Sequence, residues 1–147
     1  MFRRFLRRVD LGHRYLTDVL EIQMSIPPVL NTLNAMRSLM YALLEGASES
    51  QGIRRSDIDG TLYYRDFGAP SIILFDAVPG GAGHVENIKD HLRDAIFEGY
   101  KKVRDCKCGE DTSCYNCLRN YSNQRYHDDL QRGYAIKLMK YLLENGI

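Results

Sequence analysis

All four cysteines of the chain fall within twelve residues, in the run CKCGEDTSCYNC from Cys106 to Cys117. Their spacing is C-x-C-x5-C-x2-C, and four chemistries use thiols grouped this way. Disulfides between such close neighbours would close only small loops and stabilise little. A redox pair at Cys114–Cys117 should open a helix after a strand, and it leaves Cys106 and Cys108 without a role. An iron–sulfur cluster takes four cysteines and stays open as an alternative. Zinc favours four tetrahedral ligands, and thiolates satisfy it with soft, charge-donating sulfur. No histidine or carboxylate sits at ligand spacing and no ligand is missing. The pattern therefore favours a closed, structural Zn²⁺ site on Cys106, Cys108, Cys114 and Cys117. Four thiolates on a dication leave a net charge of −2, and Lys101, Lys102, Arg104, Lys107 and Arg119, in or beside the run, are candidates to offset it.

Two further stretches have the residue types for chemistry. In DAVPGGAGH, a strand runs into a Gly-rich turn that opens a helix, an arrangement that can present backbone N–H groups to an anion. Gly80, Gly81 and Gly83 would permit close approach, with Asp76 as a cap or site carboxylate and His84 as a first-turn donor. No Lys-Ser/Thr follows the glycines, so this is not a Walker loop. A tight turn that uses the glycines for unusual dihedrals is the favoured reading. In SDIDGTL, the order D-x-D-G-T matches the nucleophile motif of haloacid-dehalogenase-type phosphotransferases, with Asp57 as nucleophile. That motif follows a buried apolar strand, whereas GIRRS precedes it here, so Asp57 and Asp59 read better as turn and strand-edge residues. An enzyme using Asp57, or a hydrolase using Asp76 with His84, remains the rival class. Beyond the cysteines, Tyr121, Arg125 and Tyr126, with Asn120, Asn123 and Gln124, form a polar–aromatic patch that more often simply covers a metal loop. Its residue types also suit single-stranded nucleic acid, with Arg119, Tyr121 and Arg125 as the candidate contacts.

The elements that must position these residues follow from patterning. A chain of 147 residues with 44% hydrophobic and 27% charged residues has the composition of one soluble globular domain. Residues 1–14 carry Arg3, Arg4, Arg7, Arg8 and Arg14 against Asp10, a local charge of +4 on an amphipathic leader or linker remnant. A leader packed on the body with its arginines solvated is the favoured reading; in the alternative, Arg3, Arg4, Arg7 and Arg8 are candidate phosphate contacts. Residues 15–147 are expected to form a single domain. YLTDVLEIQM alternates as a strand with Leu20, Ile22 and Met24 on one face. Pro27 and Pro28 suit the start of an amphipathic helix from Val29 to about Ser50, closed by Gly52. GIRRSDI, TLYYRDF and PSIILFDAV read as β structure, with Asp59-Gly60 as a two-residue hairpin turn and the third run as a central strand covered on both faces. An amphipathic helix bearing Val85, Ile88, Leu92 and Val103 precedes the cysteines. A last helix is expected from His127 to Leu143, with Asp128 and Asp129 in its first turn. The fold class expected is α+β: a small, mostly antiparallel sheet with packed amphipathic helices and a four-cysteine zinc loop. No apolar run approaches the ~20 residues that span a bilayer, and no secretory signal pattern opens the chain, so the expectation is a cytoplasmic protein without membrane contact.

Taken together, TDVLEI, SLMYALLEGASESQGI, SDIDG, LFDAVPGGAGH and C-x-C-x5-C-x2-C-L-R-N-Y resemble the MrfA-like zinc-binding domain over about Leu11 to Leu143. That domain usually sits at the carboxyl end of DEAD/DEAH-type DNA repair helicases and in a partner protein of the DISARM phage-defence system. The resemblance implies zinc on the four cysteines and an accessory, non-catalytic role beside a helicase motor domain or subunit, with DNA as a candidate partner. The chain has no Walker motif and no D-E-x-H box, so it cannot itself be the motor. A protein–protein adaptor without nucleic-acid contact is the third reading.

Overall fold

A computed structural model describes residues 16–146; the leader, with Arg3, Arg4, Arg7 and Arg8, lies outside the described residues. The element order is β1 (Val19–Ile22), α1 (Leu33–Gln51), β2 (Ile58–Tyr63), β3 (Ser71–Asp76), α2 (His84–Asp90), α3 (Leu92–Asp105) and α4 (Arg132–Asn145). Short 3-10 segments lie at Pro28–Leu30, Arg55–Asp57 and Tyr121–Asp129. The three strands form an antiparallel sheet in the order β1-β3-β2. The most apolar strand is thus the central one, as its composition predicts. Along β3, Ile72 and Leu74 are buried while Ile73 and Phe75 are only half-buried, so one face of the sheet is fully covered rather than both.

Helix α1 is the centre of the molecule. It packs against α3, α4 and β2, and an unbroken run from Ser38 to Leu44 is buried. A helix touched on several sides needs apolar or small residues around most of its circumference, so its pattern is broader than the single stripe expected. Its start also differs. The Pro27-Pro28 pair opens only a 3-10 turn, and the helix proper begins after Thr32, whose side chain accepts a hydrogen bond from Ala35 N at 3.2 Å. Gly52 ends the helix in the left-handed conformation, with φ 63°.

Other boundaries move for local reasons. Asp59 and Gly60 are not a turn. They lie inside β2, opposite Phe75 and Leu74. A Cβ on Gly60 would stand 3.1 Å from both Met40 Sδ and Leu74 Cδ2, so the glycine lets α1 approach the sheet. The hairpin reverses instead through residues 64–70, where Gly68 has φ 82°. GIRRSDI contributes the cap of α1 and a 3-10 turn, and only its last residue, Ile58, belongs to a strand. The helix after the glycine turn breaks at His91 (φ −126°, ψ 33°) into α2 and α3. At the far end, Asp128 and Asp129 belong to the 3-10 segment, and α4 starts only at Arg132. Asp129 there pairs with Arg37 of α1, 3.4 Å away.

Candidate metal centre

Helix α3 delivers the first cysteine. Cys106 is its C-terminal cap, in extended conformation (φ −66°, ψ 144°), so the chain leaves the helix there. The second pair is held by a tight turn in which Cys114 O accepts from the N–H groups of Cys117, Leu118 and Arg119 at 3.0–3.2 Å. The N–H of Cys114 itself points at Cys117 Sγ, 3.4 Å away. Amides directed at sulfur stabilise the thiolate form.

The result is a compact group of sulfurs. Neighbouring Sγ atoms lie 3.6 Å apart (Cys106–Cys108), 3.4 Å (Cys106–Cys114), 3.8 Å (Cys108–Cys117) and 3.9 Å (Cys114–Cys117). All four lie within 4.8 Å of one another. Ligands ~2.3 Å from a tetrahedral zinc stand about 3.8 Å from each other, so these residues fit one ion. The separations are far longer than the ~2.05 Å of a disulfide, and the group is too tight to enclose a cluster of several irons. The C-x-x-C pair sits in a turn after α3, not at the head of a helix, which removes the structural setting of a redox dithiol.

The thiols differ in how readily they ionise. Burial resists ionisation of Cys106, but the N–H of Cys108 and hydrogen bonds from the other thiols outweigh it, bringing the group down to about 7. Burial pushes both Cys117 and Cys108 up. A dication must therefore displace protons to be held, the usual case for zinc thiolate sites.

The loop is fastened to the body by its own backbone and by Arg132. The first two amides of α4 donate into the loop, Arg132 N to Thr112 O and Gly133 N to Glu110 O, each at 2.8 Å. The guanidinium of Arg132 is buried and donates to Val103 O at 2.8 Å and to Cys108 O. One side chain thus joins the end of α3, the metal loop and the start of α4. Sequence reasoning missed it, because an arginine at a helix start is the opposite of what the helix dipole favours.

The flanking cations expected to offset the sulfur charge are mostly engaged elsewhere. Lys102 pairs with Glu45 at 2.8 Å, Lys101 with Glu98 at 2.9 Å, and Arg104 with Asp105 at 2.7 Å. Arg119, also expected on a nucleic-acid surface, instead reaches Ser113 Oγ at 2.8 Å and His127 O at 3.3 Å, bracing the loop from inside. Asn120 and Asn123 cap the following 3-10 segment reciprocally, and Asn123 also donates to Leu118 O at 2.9 Å. Tyr121 and Arg125 remain exposed.

The glycine turn has a resident anion. Asp76 is fully buried, and its carboxylate accepts from Ala82 N (2.6 Å), His84 N (3.2 Å) and Val85 N (3.0 Å). Gly80, Gly81 and Gly83 all have φ of 79–85°, which lets the chain fold back over that carboxylate. The amides that could have held a phosphate are occupied, and His84 meets Asp76 through its backbone N–H. Asp57 lies in a 3-10 turn with its carboxylate 3.3 Å from Arg54, not at the end of a buried strand. The structure therefore brings the cysteines together and leaves Asp57 and Asp76 in separate structural roles.

Four clustered cysteine sulfurs on a loop that closes an α+β body define a zinc-binding domain. Residues 39–118 match the family model of the MrfA Zn-binding domain; the chain belongs to that family, and zinc is its cofactor. It is 30% identical over 155 residues to the Druantia protein DruE of Escherichia coli (strain UMEA 4076-1), a match covering 93% of this chain and 8% of that protein. Its fold is shared by part of the DUF1998 helicase MrfA solved bound to DNA, with a TM-score of 0.55 at 18% identity over 74% of this chain and 14% of that one. The same helicase bound to DNA and AMPPNP gives 0.57 at 17% identity, over 90% and 16%. The chain thus spans no more than 16% of each of these relatives. Among the described residues, no helix is long and apolar enough to cross a membrane.

Proposed function

We propose that this chain is a non-catalytic zinc module of a DNA-processing or phage-defence machine, acting beside a helicase motor domain or subunit. Cys106, Cys108, Cys114 and Cys117 hold one zinc ion, and the ion's role is to fix the loop that joins α3 to α4. The observation that carries this reading is the set of four sulfurs within 4.8 Å of one another, four of their separations being 3.4–3.9 Å, with no further ligand position required. Likeness to MrfA bound to DNA and to a Druantia protein supports the choice of a motor as partner. The placement of Asp57 on Arg54 and of Asp76 under three backbone amides supports a role without catalysis by either carboxylate.

Metal analysis of chain purified under reducing conditions is expected to give about one zinc per chain. The zinc-loaded chain should raise DNA unwinding by the motor lobes of a homologous helicase lacking its own zinc domain, and Cys114→Ser should not. Absence of zinc would overturn the metal assignment. Turnover of phosphate esters lost in Asp57→Asn or Asp76→Asn would overturn the non-catalytic role in favour of an enzyme.

A further inference from the structure

We infer that the cleft between α1, β2 and the Tyr121–Asp129 segment, on the body and apart from the cysteines, is a contact site for single-stranded nucleic acid. Its size comes first. A cavity of about 310 Å³ is at the lower end of ligand-sized sites, with room for roughly one nucleotide unit and none for a duplex. Its wall is rich in aromatic rings, with Arg37, Arg125 and Asp59 as its charged residues. The Tyr126 ring lies under two guanidiniums, with Arg37 Cζ 4.0 Å and Arg125 Cζ 4.8 Å from the ring centroid. This stacking orients both charges at the cleft before anything binds.

Nearby acids offset much of that charge. Asp129 pairs with Arg37 at 3.4 Å, and Asp59 accepts from Gly60 N at 2.9 Å. This leaves Arg125 as the guanidinium with no carboxylate partner among the described residues. Tyr64 is 60% exposed, a large ring left in water at a cleft that Arg125 also lines. A cation that tracks phosphate beside an aromatic face that stacks a base is the pairing used for single strands. The site rests on the proposed function only in taking DNA as the probe.

The test is fluorescence anisotropy of the whole, zinc-loaded chain with a short labelled oligothymidylate and with a duplex of the same length, across a salt series. The single strand should bind more tightly. Arg125→Ala should weaken it several-fold and reduce the salt slope by about 0.7, the share of one phosphate contact. Tyr64→Ala should weaken it roughly 5- to 100-fold, while Tyr64→Phe retains most of the affinity. Both positions are exposed, so circular dichroism and zinc content should not change. Single-strand binding unaltered in both variants would overturn the cleft as the site while leaving the proposed function standing. Tighter binding of duplex, or of an acidic peptide, would overturn it as a single-strand site. A chain that binds no nucleic acid overturns the cleft too, and the motor-unwinding assay then decides the proposed function separately.

Discussion

Cys117→Ser leaves a hydroxyl where the most buried of the four sulfurs should meet the metal. The expected outcome is a fall from about one zinc per chain to a small fraction, read by metal analysis, because hard oxygen is a poor substitute for thiolate. Acidification should release zinc from the unaltered protein, since protons and metal compete for the same sulfurs; a chromogenic chelator reads this. Arg132→Met keeps the bulk of the side chain but leaves Val103 O and Cys108 O without their donor. A loss of about 2–4 kcal/mol in urea unfolding is expected, together with zinc affinity roughly 10- to 100-fold weaker by chelator competition. Asp76→Ala leaves three amides without their acceptor, that of Val85 buried, and should cost about 2–4 kcal/mol, without any change in zinc content. At this scale the ligands were legible because cysteine spacing carries the coordination geometry directly. Arg132 was not, since its partners are two backbone carbonyls 29 and 24 residues away, and carbonyls leave no mark in a sequence.

Helices α1 and α3 cross with their backbones almost touching. A Cβ on Gly46 would stand 2.0 Å from Ala95 O and 2.5 Å from Gly99 N, and one on Gly99 would meet Ala42 O at 2.6 Å. Backbone atoms cannot step aside as a flexible side chain can, so Gly46→Ala should be destabilising by about 3 kcal/mol or more, measured by chemical denaturation. This exceeds the usual gain of alanine over glycine in a helix, about 1 kcal/mol and of opposite sign. The elements themselves were legible: the central strand, the long helix before it and the helix leading to the cysteines all follow from apolar patterning. Their ends were less so. Pro27-Pro28 promised a helix start that Thr32 supplies, and Asp59-Gly60 carried a turn signature although its glycine serves a helix–sheet contact. A dipeptide states which dihedrals it permits, not which neighbour requires them.

The body and the loop are stabilised by different means. The sheet and α1–α3 share a core of large side chains including Met36, Leu39, Leu43, Ile72, Leu74 and Ile96, whereas the loop between Cys106 and Leu118 has few apolar residues of its own. Chelation is therefore expected to raise hydrogen exchange in residues 106–131 while α1 and β3 remain protected. Equal loss of protection everywhere would show instead that the ion holds the entire fold. The arrangement as α+β was readable from composition and order; which helix sits in the middle was not, because burial on several sides is a property of neighbours.

The paired bonds from the start of α4 to Thr112 and Glu110 carry this coupling further. Leu138, Met139 and Leu142 face inward along that helix, so a cell short of zinc would hold copies whose α4 is poorly seated and whose greasy side is intermittently uncovered. Such copies present a ready signal to the proteases that survey newly made chains. Metal supply would then set how many copies of the module survive, before any question of what they contact.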